Sequence, residues 1–306
     1  MADPIRAVVP AGLDGERLDK ALAVILGVSR TEAKHLVDVG VRLDGRPGSA
    51  SGKVREGSLI ETPPPRTATV LEPEPIEFEV ILETDDYLVV DKPPGLVVHP
   101  GSARTRGTLA AGLIHRYPEM EGVGEPGRWG LVHRLDRDTS GVLLVARTSS
   151  AYEDLTGQLA RREVKRTYTA LVDGTFLIPT GTIEAPIGRD PARPTRRAVV
   201  PDGKHAVTHY EVETNYPAAN AALLIVRLET GRTHQIRVHL AAIDHPVIGD
   251  RTYRGRPTTA ASPRVFLHAS RLEFADPTSG ATVRARSPLP EDLALVLERL
   301  GSGIPA

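Results

Sequence analysis

The spacing of apolar residues predicts two short helices near the start of the chain. Residues 17–26 carry apolar side chains at helical spacing and are followed by Gly27, a residue type that commonly ends a helix. Ser29, with Glu32 three residues later, has the pattern of a capping box and predicts the start of a second helix. We expect this second helix to end at Gly40.

Strand patterns follow these helices, at first within the same small unit. The Asp-Gly pair at 44–45 predicts a hairpin turn, and residues 53–60 predict a turn followed by a strand. Proline and glutamate are then concentrated in residues 63–76, which is typical of a stiff linker. The sequence therefore predicts a small first domain over residues 1–62, this linker, and a second domain over residues 77–306.

The second domain is predicted to be rich in strands. Two apolar runs separated by an Asp-Asp pair at 85–86 indicate a hairpin. Residues 142–146 are short, apolar and rich in β-branched side chains, which favours a buried strand. The remaining predicted strands are residues 167–172, 209–212 and 223–226. The remaining predicted helices are residues 108–116, 152–160 and 290–300.

Length and composition restrict the classes of protein that are possible. The chain has 306 residues, 40% of them hydrophobic, which allows about two domains with substantial cores. It has no cysteine, so disulfides and thiolate chemistry are excluded. No apolar run approaches the roughly 20 residues of a membrane helix, and residues 1–6 lack the apolar core of a signal peptide. We therefore expect a cytoplasmic protein.

The net charge of −1 hides a strong segregation of charge along the chain. Residues 71–91 contain eight acidic and no basic residues, whereas residues 17–55 contain eight lysines and arginines. Residues 189–204 form a stretch rich in proline and arginine, with five basic and two acidic residues, and are predicted to be a loop. Basic blocks of this kind are compatible with phosphate binding, but an ordinary surface of mixed charge remains an alternative.

The densest cluster of polar side chains lies at residues 133–141. This stretch has two arginines, two aspartates, a histidine and two hydroxyls, and it directly precedes the predicted buried strand. Charged turns held by rigid strands are common positions for catalytic groups. A purely structural turn with solvated ion pairs is the alternative reading of the composition.

Three motifs in this sequence resemble those of the RluA-type pseudouridine synthases. The string His-Arg-Leu-Asp-Arg-Asp-Thr-Ser-Gly at 133–141 is similar to the active-site motif of that family. Residues 92–100 and 228–240 resemble its first and third motifs, and residues 246–253 and 266–269 extend the likeness. The resemblance implies an α+β fold with a mixed, mainly antiparallel sheet and a central cleft. It also implies isomerisation of uridine to pseudouridine in RNA without a cofactor.

The same resemblance implies roles for individual residues. Asp136 corresponds to the essential catalytic aspartate, and Arg237, expected on the strand of the third motif, is its candidate partner. Tyr168 would stack on the target base and assist removal of the C5 proton, and Arg134 would help to expel the base from its stack. The aspartate would attack C1′ or C6 or remove a sugar proton, and the sequence leaves these routes open. Asp138 is expected to cap the turn.

The first domain resembles the S4 RNA-binding domain in its pattern of helix, hairpin and strand residues. The matching positions are 17–19, 29–30, 40–41, 44–45 and 57–60. The resemblance implies phosphate contacts by basic residues of this domain, with Arg17, Lys20, Arg30, Lys34, Arg42 and Arg46 as candidates. In the loop of residues 189–204, expected to grip RNA, the candidates are Arg193, Arg196 and Arg197. Solvated helix faces are the alternative for all of them.

The substrate expected from the resemblance is 23S ribosomal RNA, because the chain is similar to the RluD and RluC types of the family. A tRNA substrate is the alternative within the class, and a non-catalytic RNA-binding factor for ribosome assembly is the alternative outside it. His234 and His239 suggest a metal site, but the sequence offers no cysteine and no nearby carboxylate set to complete one, so no metal is expected. We expect a monomer with neither a nucleotide cofactor nor a membrane partner.

Overall fold

The computed structural model describes residues 4–28, 30–64, 71–99, 106–125, 128–253, 260–301 and 304–305, without the side chains of residues 30, 31 and 305. Its contacts divide the chain into two compact units, Met1–Glu72 with Glu125–Trp129, and Pro73–Gly124 with Gly130–Ala306. The division after Glu72 falls within the predicted linker. None of the helices in the described ranges is long and apolar enough to cross a membrane.

The first unit packs two helices on a small sheet. Its elements are α1 (Leu18–Leu26), α2 (Arg30–Gly40), β1 (Ile5–Val8), β2 (Arg42–Leu43), β3 (Arg46–Pro47) and β4 (Leu59–Thr62), with strand order β1-β4-β2-β3. Helix α1 ends at Gly27 in a left-handed conformation, as the sequence predicts. The hairpin prediction is also confirmed, because Asp44 and Gly45 both have positive φ. Ser29 and the side chain of Arg30 lie outside the described residues.

The second unit contains twelve strands among its described residues. They are β5 (Glu79–Glu83), β6 (Tyr87–Lys92), β7 (Ser140–Ala146), β8 (Lys165–Asp173), β9 (Thr180–Glu184), β10 (Ile187–Arg189), β11 (Arg197–Val199), β12 (Val207–Tyr216), β13 (Ala221–Leu228), β14 (Leu267–Ala275), β15 (Thr282–Arg286) and β16 (Ile304–Pro305). The helices are α3 (Leu109–Arg116), α4 (Ser149–Ala160), α5 (Gln235–Ala242) and α6 (Glu291–Leu300).

Ten of these strands form one sheet, in the order β16-β12-β13-β8-β14-β7-β6-β5, with β9 on β12 and β15 on β14. Among the described strands of this sheet, β7 and β14 form the one parallel pair, and the other pairings are antiparallel. The expected α+β fold with a mixed, mainly antiparallel sheet is therefore confirmed. Strand β7 is buried along its whole length, as its apolar run predicts.

Several predicted elements differ from the structure at their ends. Helix α4 begins at Ser149 instead of residue 152, because the Thr148 hydroxyl accepts a hydrogen bond from the Ala151 backbone N–H and so caps the helix earlier. Residues 189–204 are not a simple loop, because β11 lies within them and pairs with β10, which ends at Arg189. The polarity of this segment concealed the hairpin, because the buried residue of the ribbon, Ile187, lies just before residue 189.

The prediction that Arg237 lies on a strand is wrong, because it lies on α5. Strand β13 ends at Leu228, and the side chain of Gln235 then organises the connection. Its carbonyl accepts hydrogen bonds from the Thr230 hydroxyl (2.7 Å) and the Arg232 backbone N–H (3.0 Å). These bonds hold the turn that starts the helix. Ile236, Val238 and Leu240 alternate with the period of a strand, so the local pattern predicts the wrong element and the tertiary contacts override it.

We predict that Gly141→Ala destabilises the protein strongly. Gly141 has a φ of 111° and faces Ala269 in the parallel β7–β14 pair, and an added Cβ would overlap the Ala269 carbonyl. Backbone strain and overpacking together should lower the free energy of unfolding by about 3 kcal/mol or more, measured by urea titration. Gly280→Ala is the matched control, since Gly280 also has positive φ but open space around it. A loss as small as that of the control would contradict the steric explanation.

Candidate active site

A cavity of about 440 Å³ opens where the turn before β7 meets the end of β13 and the start of α5. It brings together all four residues that the sequence singled out for chemistry, because Arg134, Asp136, Tyr168 and Arg237 line it. They come from the turn before β7, from β8 and from α5, which are far apart in the chain. The cavity therefore has the composition expected of a catalytic cleft.

The centre of the cavity is an arginine shared by two aspartates. One guanidinium nitrogen of Arg237, Nη1, donates to Asp136 Oδ2 at 3.0 Å. The other two, Nε and Nη2, donate to the two carboxylate oxygens of Asp250 at 2.6 and 2.9 Å. The bidentate pair with Asp250 fixes the plane of the guanidinium, and this orientation presents the third nitrogen to Asp136. Asp136 keeps part of its carboxylate exposed to the cavity, with 16% of the side chain accessible.

Burial and neighbouring charges shift the pKa values of Arg237 and Asp250, the ion pair beneath the cavity, in opposite directions. Burial disfavours the charged form of Arg237, but the carboxylates of Asp250 and Asp136 outweigh it, so the pKa of Arg237 lies above its usual range. Burial likewise raises the pKa of Asp250, and the hydrogen bonds from Arg237 more than reverse this, so that its pKa lies below the usual value. Both groups are therefore charged at neutral pH, and Asp136 lies against a permanent cation.

Sequence reasoning missed Asp250, although the stretch around it was noticed. It lies in the loop after α5, where Oδ1 also accepts hydrogen bonds from the backbone N–H groups of Thr252 (2.8 Å) and Tyr253 (3.1 Å). The signal that could have identified it is an aspartate directly after Gly249, followed by polar residues, a pattern that is typical of a turn with a capping side chain. Nothing local indicates that its partner is an arginine thirteen residues earlier.

A histidine and a tyrosine complete the wall beside Asp136. The Tyr253 hydroxyl accepts from the Arg197 backbone N–H at 2.9 Å, so its proton can be donated to His234 Nδ1, also at 2.9 Å. With that donation, the ring proton of neutral His234 lies on Nε2, which is 3.9 Å from Asp136 Oδ1. Burial lowers the pKa of His234, which favours the neutral ring. The Tyr253 ring also lies 5.1 Å from the Arg237 guanidinium, a favourable cation–π distance.

Tyr168 contributes an aromatic wall to the cavity from the middle of the sheet. It lies on β8, only 5% exposed, between Val226 of β13 and Ala269 of β14 in the strand register. Burial raises the pKa of its hydroxyl, and the charge of Arg166 offsets part of the shift. The hydroxyl is therefore protonated at neutral pH, and the ring offers a flat surface on which a base could stack.

The rim of the cavity is strongly basic. Arg134 is exposed on the turn before β7, and three further arginines that sequence reasoning did not select line the cavity, namely Arg162, Arg166 and Arg232. Together with Arg237 they face only two carboxylates of the lining, Asp136 and Glu229. An excess of arginine around a cavity favours anionic ligands, and phosphodiesters match the guanidinium geometry especially well.

The buried side chain of Lys92 holds the turn that carries Asp136. Lys92 is fully buried, and its Nζ donates to the carbonyls of Pro93 (2.7 Å), Leu96 (3.0 Å) and Arg137 (2.9 Å). The bond to Arg137 ties the turn of Asp136 to the segment after β6, within the first motif at residues 92–100, of which Pro100 lies outside the described residues. Burial lowers the pKa of Lys92 to about 7, although the three carbonyls match the three protons of the ammonium form.

His133 and Asp138, two polar residues close to Asp136 in sequence, do not supply a free acid or base to the cavity. His133 is half-buried, its Nε2 accepts from the Leu144 backbone N–H at 3.0 Å, and desolvation lowers its pKa to about 3. The expectation that Asp138 caps the turn is wrong, because its two oxygens instead accept hydrogen bonds from Arg137 at 2.9 Å each. The exposed arginine next to it in sequence competes successfully with the backbone for the carboxylate.

The candidate RNA-binding residues lie outside this cavity. In the first unit, Arg17 pairs with Asp19 and Lys20 with Glu16, Arg42 donates to the Gly45 carbonyl, and Lys34 and Arg46 are exposed. In the second unit, Arg193 is exposed and Arg196 and Arg197 are half-buried in the β10–β11 hairpin. Among the residues that the structure describes, no group of three or more histidine, aspartate or glutamate side chains could hold a metal ion.

Comparison with known proteins identifies close relatives over almost the whole length. The sequence profile described as RNA pseudouridylate synthase matches residues 86–242. An "Uncharacterized RNA pseudouridine synthase" of Chloroflexus aurantiacus is 45% identical, covering 96% of this chain and 92% of its own. The "Ribosomal large subunit pseudouridine synthase D" of Nitrosomonas europaea is 43% identical, with coverages of 97% and 88%. Among solved structures, the human "RNA Pseudouridylate Synthase Domain Containing 1" is similar with a TM-score of 0.55 and 26% identity, over 76% of this chain and 98% of that one.

We predict that Asp250→Asn lowers the free energy of unfolding by about 3–5 kcal/mol, because it leaves a buried arginine with only one carboxylate. The folded-state pKa of Asp250 is below its unfolded value, so its contribution is present above about pH 4 and is lost as the pH falls through the folded pKa. Urea titrations between pH 3 and 7 should therefore show a steeper loss of stability in the wild type than in the variant.

Asp292→Asn is the matched control for this experiment. Asp292 also forms a bidentate pair with an arginine, Arg264, but its side chain is 38% exposed. Solvent screens such a pair, and we expect a loss below about 1 kcal/mol. Equal losses in the two variants would show that burial of the Asp250 pair does not have the effect that we assign to it.

Proposed function

The chain belongs to the RNA pseudouridylate synthase family, and we propose that its substrate is ribosomal RNA of the large subunit, in which it converts uridine to pseudouridine. The relative from Nitrosomonas europaea, named as a large-subunit ribosomal enzyme, is similar over nearly the full length of both chains. The observation that carries the proposal is Asp136, held against Arg237 in a cavity bordered by arginines. The substrate would place the protein in the cytoplasm.

The reaction determines what the cavity has to do. The N1–C1′ bond of uridine breaks, the base rotates, and a bond forms between C5 and C1′, with loss of the C5 proton and gain of a proton at N1. The atoms of the nucleotide are conserved, so the essential requirements are a group that acts on the sugar or base and a group that moves protons. The target nucleotide must also leave its stack to expose C1′ and C6.

Asp136 is proposed as the catalytic group. Its Oδ2 accepts a hydrogen bond from Arg237, and its Oδ1 lies 3.9 Å from His234 Nε2, so both neighbours restrict its orientation. A positioned carboxylate can attack C1′ or C6 of the nucleotide or remove a proton from the sugar. Each route needs a carboxylate held in a fixed orientation, and the Arg237–Asp250 pair supplies the hydrogen bond that holds it.

Tyr168 and Arg134 are proposed to handle the base. The ring of Tyr168 would stack on the flipped uracil, and its hydroxyl would assist removal of the C5 proton. Arg134 lies exposed at the mouth of the cavity, on the turn that carries Asp136. From there its guanidinium could occupy or brace the position that the base vacates, since arginine stacks well on neighbouring bases.

The first unit is proposed to act as an S4-type RNA-binding domain. Its two helices and hairpin agree with the pattern on which the resemblance rests, and its exposed lysines and arginines suit sequence-independent phosphate contacts. The β10–β11 hairpin, with Arg193, Arg196 and Arg197, is proposed as a further contact for RNA. These contacts would determine which RNA binds and how it is positioned, and the cavity would determine which nucleotide reacts.

We predict that Asp136→Asn abolishes pseudouridine formation. Ribosomal RNA incubated with either protein would be mapped for pseudouridine at single-nucleotide resolution, and a modification made only by the wild type would identify the target. Asp138→Asn is the matched control, because Asp138 lies two residues away but pairs with Arg137 and does not line the cavity. An active Asp136→Asn protein would overturn the assignment, and modification of tRNA but not ribosomal RNA by the wild type would overturn the substrate.

We predict that Tyr168 variants separate stacking from proton transfer. Tyr168→Phe keeps the ring and should lower kcat about 100-fold with little change in KM, because it removes only the proton-transferring group. Tyr168→Leu should also raise KM, since stacking contributes about 1–3 kcal/mol per base. Steady-state kinetics on the mapped RNA measure both constants. A fully active Tyr168→Phe variant would show that the hydroxyl has no role in the reaction.

A further inference from the structure

A second cavity of about 440 Å³ adjoins the catalytic cavity and shares four lining residues with it, Arg162, Arg166, Leu228 and Glu229. We call this second cavity the basic groove. Its lining has seven arginines and lysines against two glutamates. Successive residues of a strand point to opposite faces of the sheet, so Tyr168 lines the catalytic cavity and Thr167 lines the basic groove. The two cavities therefore lie on opposite faces and meet at the ends of β8 and β13.

The strand register places several basic side chains in one row across the groove. The row consists of directly paired residues of five neighbouring strands, β12, β13, β8, β14 and β15, namely His209, Arg227, Thr167, Arg271 and Arg286. Directly paired residues share a face of the sheet. With a strand spacing of about 4.8 Å, Arg227 and Arg286 are separated by roughly 14 Å.

The carboxylates near this row leave two of its arginines uncompensated. Glu229 and Glu273 each already pair with two basic neighbours, and Arg227 pairs with Glu211 at 2.8 Å. Within the part of the chain that the structure describes, the side chains of Arg271 and Arg286 form neither an ion pair nor a hydrogen bond. They are nevertheless exposed cross-strand neighbours, and like charges directly opposite each other destabilise a sheet.

We propose that the basic groove binds the phosphodiester backbone of the RNA strand whose target uridine occupies the catalytic cavity. This inference rests on the proposed function, because it treats the groove as the continuation of the substrate path around the ends of β8 and β13. Phosphates would supply the anions that Arg271 and Arg286 lack, and guanidinium groups bind phosphate oxygens in pairs. The repulsion within the free protein is then relieved on binding.

The test measures RNA binding by a double variant, Arg271→Gln with Arg286→Gln. All proteins carry Asp136→Asn to prevent turnover, and the probes are oligouridylates of 3 and 12 nucleotides. The short probe can occupy the catalytic cavity alone, whereas the long one can extend into the groove. Arg299→Gln on α6 is the matched control, since Arg299 is exposed, forms no ion pair among the described residues and lines neither cavity.

For the 12-nucleotide probe, two lost phosphate contacts should reduce the slope of log K against log salt by about 1.4. This corresponds to an affinity loss on the order of 20-fold at 0.1 M salt. The 3-nucleotide probe should bind the double variant and the control alike. An unchanged slope with the long probe would overturn the proposal and leave an acidic protein surface as the occupant. An equal loss with both probes would also overturn it, because the arginines would then act on the catalytic cavity.

Two further measurements exclude misfolding as the cause of weaker binding. Replacing Arg271 and Arg286 by glutamine removes a like-charge contact, so Tm should stay the same or rise. The double variant with lysine at both positions keeps the charges and should retain most of the salt dependence. Because the binding test needs no turnover, its outcome is independent of whether ribosomal RNA is the substrate, which the mapping with Asp136→Asn decides separately.

Discussion

The shared guanidinium of Arg237 is the interaction on which the rest of the site depends. Asp250 and Asp136 occupy opposite sides of it, and the structural aspartate is buried whereas the catalytic candidate is partly accessible. A buried ion pair is costly unless every group is satisfied, and here Asp250 also accepts two backbone N–H groups. The network therefore orients Asp136 without using the carboxylate oxygen that faces the cavity.

The scaffold fixes the turn of Asp136 from two further directions. Strand β7 continues the turn into the centre of the sheet, where Gly141 allows the close parallel approach of β14. Lys92 donates to the carbonyl of Arg137, the residue directly after Asp136. Because both supports are buried, the turn can hold the carboxylate of Asp136 in one orientation while Arg134 and Arg137 remain exposed.

The balance of positively and negatively charged side chains differs between the interior and the surface. Beneath the cavity, positive and negative groups are matched, since Arg237 has two carboxylate partners. At the rim and in the basic groove, arginines outnumber carboxylates, and Arg271 and Arg286 face each other without an anion. Paired charges in the interior stabilise the fold. The excess of positive charge on the surface favours binding of a polyanion, whose phosphates can pair with the arginines.

The sequence by itself determined what depends on local pattern. Apolar periodicity and turn residues were sufficient for β7, for α1 with its end at Gly27, and for the Asp44–Gly45 hairpin. The resemblance of residues 133–141 to the family motif singled out Asp136 as the catalytic candidate, and the structure places it in the cavity. Tertiary structure alone decided that Arg237 lies on a helix, that Asp250 is its partner, and that Arg271 and Arg286 are neighbours. These relations depend on side-chain bonds that start a helix and on pairing between segments distant in sequence, and neither leaves a periodic pattern in the chain.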